Sequence, residues 1–495
     1  MQLKPFVCSL LPVLVLAGLP PVAGAVDLEP SISIAEIYTN NVDLAPDGLE
    51  ESEWVTRVAP SISLIHDGGG LDVNLDYTFE ALFYADDSDR NEAYNQLDAN
   101  ALLDLIGDEL RLRAAANASQ VNVEPSRPVS NTNINTTGNR SDALNWNVGP
   151  EWSRGLFGQS QFDGFARVGH VNYDDERSQD VDTFSGRAAL HSAARSQAVT
   201  TYELAYEYSS LDYDISGKSV IQAAYLRLGY RVDRSTEVFV LGGLDNDLED
   251  PTDDSLKEGR WEVGVATEFG AQRLSAAIGE RYFGTTYAFD WELTSGESSY
   301  GISYSEAPSV SDLMALEEVP VGAPVEPGVP PPDAGIDRPG DPTRYILKRG
   351  DIDASWALSR SRLYVNLFWE DREDQVLVSD DVLLLDNLEN STSYGVEAGF
   401  SWEVGSRTDA AISGTWASRD YNALLDPGCD VETDPSCEVI NGDDTLMTLE
   451  AQIDYALGQR TRLGFTMGLQ RRDDASTGLS DYDELWAMLQ LAREF

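Results

Sequence analysis

Leu71-Asp72-Val73-Asn74-Leu75-Asp76-Tyr77-Thr78-Phe79-Glu80-Ala81 carries an apolar residue at every odd position and a polar one at every even position. Consecutive side chains of a strand point to opposite faces, so this segment has one apolar and one wet face. Helical spacing fits neither row. The same period returns in Tyr394–Val404, Trp261–Phe269 and Arg462–Gln470. At roughly 9–12 residues these strands match a tilted membrane crossing and exceed the ordinary strand of about 5–6.

The connections alternate as well. Short turns fall at 67–70, 107–109, 233–235, 270–272, 295–297, 359–361, 405–407 and 458–460. Longer Asp/Asn/Pro-rich segments lie between them, among them Asn40–Glu53, Pro125–Arg140, Asn246–Glu258 and Tyr421–Asp443. Tight turns at one end and long loops at the other are the pattern of a transmembrane antiparallel β-barrel with short periplasmic turns and long external loops. A soluble sandwich has no reason to keep that phase along the chain. The expected fold is all-β, with about 22 strands and a range of roughly 18–24, because bacterial barrels take even numbers. The weakest strands are those around Ser160–Arg195 and Gln375–Asn390. Trp152 and Trp402 precede short turns, whereas Trp54, Trp261 and Trp369 border long loops. That distribution suggests two aromatic girdles, one per interface.

Before this pattern begins, Lys4 precedes an apolar run, Leu10–Ala17, and Ala23-Gly24-Ala25 is a small-residue cleavage site. Residues 1–25 thus read as a secretory signal peptide and residues 26–495 as a single barrel. Val26 after the cut argues against a lipoprotein anchor. No later stretch approaches the roughly 20 apolar residues of a spanning helix.

The 495 residues carry a formal net charge of −51. Nucleic acid is excluded as a partner, because phosphate binding needs clustered Lys and Arg. The polar parity is the expected lumen lining: Asp72, Asp76 and Glu80, then Arg111 and Arg113, then Glu450 and Asp454. Charges at mid-membrane cost roughly 2–4 kcal/mol against lipid, so these must face water or one another. Both signs occur, which allows ion pairs across part of the lumen.

Cys8 leaves with the signal peptide, and Cys429 and Cys437 remain in one polar loop. An oxidising compartment favours a disulfide there, worth roughly 2–3 kcal/mol. A metal site is the alternative, without a nearby His to support it. The stretch 306–344 holds Pro320, Pro324, Pro327, Pro330, Pro331, Pro332, Pro339 and Pro342. Such a run blocks strand pairing and forms a long loop, either exposed or folded in as a constriction.

Signals for chemistry are thin. His66, His170 and His191 fall in separate segments, and His191-Ser192 invites a hydrolase reading without a recognisable base and orienter beside it. Adjacent carboxylates, as in Asp174-Asp175 and Asp443-Asp444, are common in so acidic a chain. The run Asp245–Asp250 lacks the central Gly and final Glu of a calcium loop, leaving at most weak bridging of divalent cations. No cofactor is implied, and the expected protein is not an enzyme.

The chain closes on Leu485-Trp486-Ala487-Met488-Leu489-Gln490-Leu491-Ala492-Arg493-Glu494-Phe495. Leu489, Leu491 and the terminal Phe495 resemble the assembly signal of bacterial outer-membrane barrels, with Arg493 as a departure. Near the start, Tyr38–Pro46, Val58–Leu64, Leu75-Asp76-Tyr77 and Leu82-Phe83-Tyr84-Ala85 resemble the opening of the PEP-CTERM system-associated outer-membrane protein family. The resemblance runs across the mature chain and is most distinctive in this opening. It implies the outer membrane of a Gram-negative bacterium and a part in exopolysaccharide production or export, with no catalytic residues to carry over. The partners it implies are outer-membrane lipid and lipopolysaccharide, the barrel assembly machinery, and exopolysaccharide or its export machinery. A porin-like conduit is the leading expectation, and an adhesin-like barrel displaying matrix-binding loops is the alternative. An outer-membrane hydrolase comes last.

Overall fold

The computed structural model describes residues 26–123, 127–156, 158–175, 177–193, 198–246, 255–310, 340, 344–376, 391–424, 439–474 and 481–495. The signal peptide, Cys429, Cys437 and most of the Pro-rich stretch lie outside them. Among the described residues the strands are β1 Val26–Thr39, β2 Glu53–Gly68, β3 Leu71–Tyr84, β4 Glu92–Ile106, β5 Leu110–Asn122, β6 Arg140–Leu156 and β7 Ser160–Tyr173. They continue as β8 Val181–Ser192, β9 Thr200–Tyr213, β10 Gly217–Arg231, β11 Thr236–Asp245, β12 Glu258–Phe269, β13 Gln272–Arg281 and β14 Gly284–Ser295. The circuit is completed by β15 Ser298–Val310, β16 Arg344–Leu358, β17 Ser361–Val376, β18 Ser391–Gly405, β19 Thr408–Leu424, β20 Val439–Ala456, β21 Thr461–Asp474 and β22 Tyr482–Glu494.

Every strand pairs antiparallel with its chain neighbours, and β1 pairs with β22 from Ser31↔Glu494 to Thr39↔Trp486. The terminal residue joins this seam, its N–H donating to the Pro30 carbonyl at 3.0 Å. The result is a closed transmembrane barrel of 22 strands, as the alternation requires. Closure leaves no strand edge, which is the condition for exposing a sheet to lipid.

The period of two sets the faces. Outward stand Leu485, Leu489 and Leu491 on β22, Phe465, Met467 and Leu469 on β21, and Phe79 and Phe83 on β3, all exposed. Trp152 and Trp402 sit toward the short-turn rim, Trp54 and Trp261 toward the long-loop rim, each about half exposed. An apolar belt between aromatic bands is the outer surface of a lipid-embedded barrel. Trp486 is on the inner parity instead, where it packs on Gly468; a Cβ there would meet the indole at 2.3 Å.

The expected short turns all fall at one rim. At Gly69 and Gly70 the backbone takes φ of +66° and +81°, which glycine adopts without a Cβ clash. Several boundaries differ from expectation. β15 runs on to Val310, so the Pro-rich loop is narrower than 306–344. β19 and β20 likewise claim both flanks of the 421–443 segment, in register to Leu424↔Val439. Strand ends above the lipid need no apolar face, so their polar sequence reads as loop.

Candidate pore constriction

The loop-side ends of β5 and β6 leave the wall. The β4–β5 ladder stops at Leu97↔Ala118, whereas β5–β6 pairing continues to Asn122↔Arg140. Freed from β4, this hairpin carries residues 127–139 inward, over the inner faces of β4, β3, β2 and β1, to the seam with β22. The expected external loop is therefore folded inward.

Its anchors come from distant parts of the chain. Gln470 Nε2 and Tyr482 Oη donate to the Val129 carbonyl at 2.5 and 2.6 Å. Asn135 Nδ2 donates to Glu484 Oε1 at 2.8 Å, and that same oxygen accepts from Thr39 Oγ1 at 2.7 Å. Tyr84 Oη donates to the Ile134 carbonyl at 2.9 Å, and the Thr136 N–H to that of Val42 at 2.9 Å. Arg472 donates to the Arg127 carbonyl and also pairs with buried Asp444 at 2.6 Å, beside Arg419. Ile134 is inserted in an apolar cluster with Ala35, Ile37, Val55, Leu82, Tyr84, Tyr94 and Trp486. Burying one such side chain contributes roughly 1.5–3 kcal/mol, and the hydrogen bonds fix its position. Behind the loop, Asn131 and Thr132 face Glu450, Gln470 and Trp486 around a cavity of about 110 Å³.

A second tie holds the loop on the far side. Arg177, in the β7–β8 connection, donates from Nη2 to the Gly138 carbonyl at 2.9 Å and pairs with Asp175 at 2.7 Å. The Arg177 guanidinium beside Asp175 holds that carboxyl below its usual range. The β15–β16 hairpin leans inward too: Arg344 Nε donates to Ser219 Oγ at 2.9 Å, and Val310 packs with Val171, Val181 and Leu211.

Below these covers the inner face divides by charge. On β3 and β4 it presents Asp72, Asp76, Glu80, Asp98 and Asp104, with Asp76 directly opposite Asp98 in the register. Like charges placed opposite each other are destabilising unless hydrated, so this wall calls for water. Glu80 is partly compensated by Arg57 at 3.4 Å, which also donates to Gln490 on β22 at 2.6 Å. The next wall is rich in arginine. Arg111, Arg113 and Arg167 converge on Glu151 at 3.2, 2.6 and 2.7 Å. Arg187 reaches Glu203 and Glu207 at 2.5 and 3.0 Å, and Arg227 reaches Glu237 at 2.8 Å. Glu450 and Asp454 are on the inner parity of β20, with Gln452 donating to Asp454 at 2.5 Å. The alternation thus brings all seven expected lining residues to the inner face. It does not bring them into one cluster.

The other candidates resolve differently. His191 Nε2 lies 2.5 Å from Asp163, so the base does have an orienter, but adjacent Ser192 points to the opposite face and cannot be its nucleophile. His170 pairs with Asp182 at 2.8 Å on the outer face. In the run from Asp245, that first carboxylate is held by Arg260 and Arg281 at 3.2 and 2.7 Å, and Asn246 donates to the Val220 carbonyl. Residues 247–250 are outside the described residues. Among the described residues no group of three or more His, Cys, Asp or Glu is placed to hold a metal.

No family model and no curated protein matches the sequence. Among solved structures, the FrpB iron transporter from Neisseria meningitidis is similar at 10% identity and TM-score 0.45, over 95% of this chain and 83% of that one. The ferric enterobactin receptor PfeA from Pseudomonas aeruginosa gives 10% and 0.49, over 95% and 80%. OpdO from Pseudomonas aeruginosa gives 10% and 0.28, over 95% and 97%.

Proposed function

We propose that this chain is a non-enzymatic, porin-like conduit of the bacterial outer membrane, with the short turns in the periplasm and the long loops outside. The observation that carries the reading is the charged inner face, above all the Asp76–Asp98 pair, crossed by an anchored loop at residues 127–139. A wall of facing carboxylates is tolerable only against water, and a loop tied to both the seam and the β7–β8 connection narrows the water path. Cations concentrate along β3 and β4, so the pore favours them over anions. The arginines of β5–β10 offer a separate track for carboxylate or phosphate groups.

The biological setting follows from the resemblance of the Tyr38–Pro46 opening: the conduit serves, directly or as an accessory, in exopolysaccharide export. The seam residues Leu489, Leu491 and Phe495 would be read by the barrel assembly machinery. Reversal potentials in planar bilayers under a salt gradient test the pore reading, with cation preference expected; anion preference would oppose it. Unchanged secretion of exopolysaccharide after gene deletion would remove the export role while leaving the pore intact.

A further inference from the structure

The outer wall carries a groove that the pore does not use. It is about 560 Å³ in volume and lies on β7, β8 and β9 below the tip of the β9–β10 hairpin. Its floor is made of small residues, Ala166, Gly186 and Ala188. Phe184, Tyr206 and Tyr208 stand around it as ridges, Phe184 edge-on to Tyr208 with ring centroids 5.8 Å apart. The registers Lys218↔Asp212, Gly186↔Tyr208 and Ala188↔Tyr206 order it along the strand direction. From Lys218 at the rim to Ala188 it descends six residues of β9, roughly 20 Å at the usual rise, which is comparable to the depth of one leaflet.

Water does not fill a trough in the hydrocarbon layer, so an acyl chain must. The volume is in the range of built ligand sites, about 300–1,000 Å³. At the rim end the chemistry changes. The exposed Lys218 directs Nζ to Tyr208 Oη at 3.2 Å and lies 5.9 Å from that ring, rather than pairing with Asp212 opposite it. An ammonium held this way is available to a phosphate. Asp212 and Asp182 share the same face and pair in register, which would repel a head group offering phosphate alone. A sugar-phosphate head group provides an anion for Lys218 and a hydroxyl donor for Asp212, while His170 holds Asp182 at 2.8 Å.

We propose that this groove binds one acyl chain of a phosphorylated, multiply acylated glycolipid of the lipopolysaccharide type, with its phosphate on Lys218. The choice of lipid rests on the orientation proposed above, in which this rim faces outward. That orientation is read separately by labelling Ile215→Cys in whole cells with an impermeant thiol reagent, since Ile215 is 83% exposed at the hairpin tip.

The test is to express the full chain in outer membranes, extract it in mild detergent, and measure bound lipid by native mass spectrometry. Wild type should retain one phosphorylated glycolipid per barrel. Lys218→Glu, which removes the phosphate contact, and Ala188→Trp, which fills the trough, should each lower retention at least fivefold. Ala188→Ser should leave it unchanged, and all variants should keep the heat-modifiable gel shift of a folded barrel. Three results would overturn the proposal: a wild type without bound lipid, retention at the wild-type level in the filled or the charge-reversed variant, or a retained diacyl phospholipid. Surface labelling of Ile215→Cys with no bound glycolipid refutes the site and leaves the orientation standing.

Discussion

Arg472 is the residue on which the inner loop turns. It is fully buried, holds Asp444 together with Arg419, and donates to the Arg127 carbonyl. Truncating one partner of a buried ion pair leaves charge behind and costs roughly 3–5 kcal/mol. Arg472→Ala should therefore destabilise the barrel by about 3 kcal/mol, the low end, because Arg419 still faces Asp444. The urea midpoint of unfolding in micelles measures this, and an unchanged midpoint would show that the network contributes nothing. Asp175 makes a pH prediction outside the membrane. Its carboxyl is depressed by Arg177, so the stabilisation is present above the ordinary carboxylate range and is lost as pH falls through the lowered value. The protection factor of the Arg177 N–H, which donates to Asp175 at 2.8 Å, should hold at neutral pH and fall only at strongly acidic pH.

Among the elements, the β5–β6 hairpin decides what the barrel can pass. Gly468→Val would push Trp486 off its seat and with it the cluster around Ile134, because the added Cβ meets the indole at 2.3 Å. Overpacking of this kind costs about 1–3 kcal/mol, and trypsin should then cut more readily after Arg140, whose guanidinium donates to the Thr132 carbonyl at 2.7 Å. The wall itself was legible in the chain: period two in Leu71–Ala81 and its counterparts fixes both faces and hence the lining by Asp72, Asp76 and Arg111. The hairpin was not. Residues 127–139 are rich in Asn, Thr and Ser and read as an exposed loop, and their partners Gln470, Tyr482 and Glu484 are more than 300 residues away. No local periodicity encodes a contact at that separation. Trp486 and Met488 were equally opaque, since apolar residues on the wet parity make sense only once something apolar packs against them from inside.

For the whole molecule, closure and a wet interior are one claim. The Phe495 N–H completes the seam with Pro30, so deleting Phe495 should lower the yield of heat-modifiable, membrane-inserted protein; undiminished insertion would show that the terminal aromatic carries no assembly signal. The central claim is that the barrel conducts and that residues 127–139 set its width. Single-channel recording compares wild type with a variant in which residues 123–139 are replaced by a two-residue Asn-Gly turn, which closes the Asn122↔Arg140 ladder directly. Cation-selective steps are expected for both, larger in the variant. Steps of equal size, or no conductance in either protein, would contradict the claim.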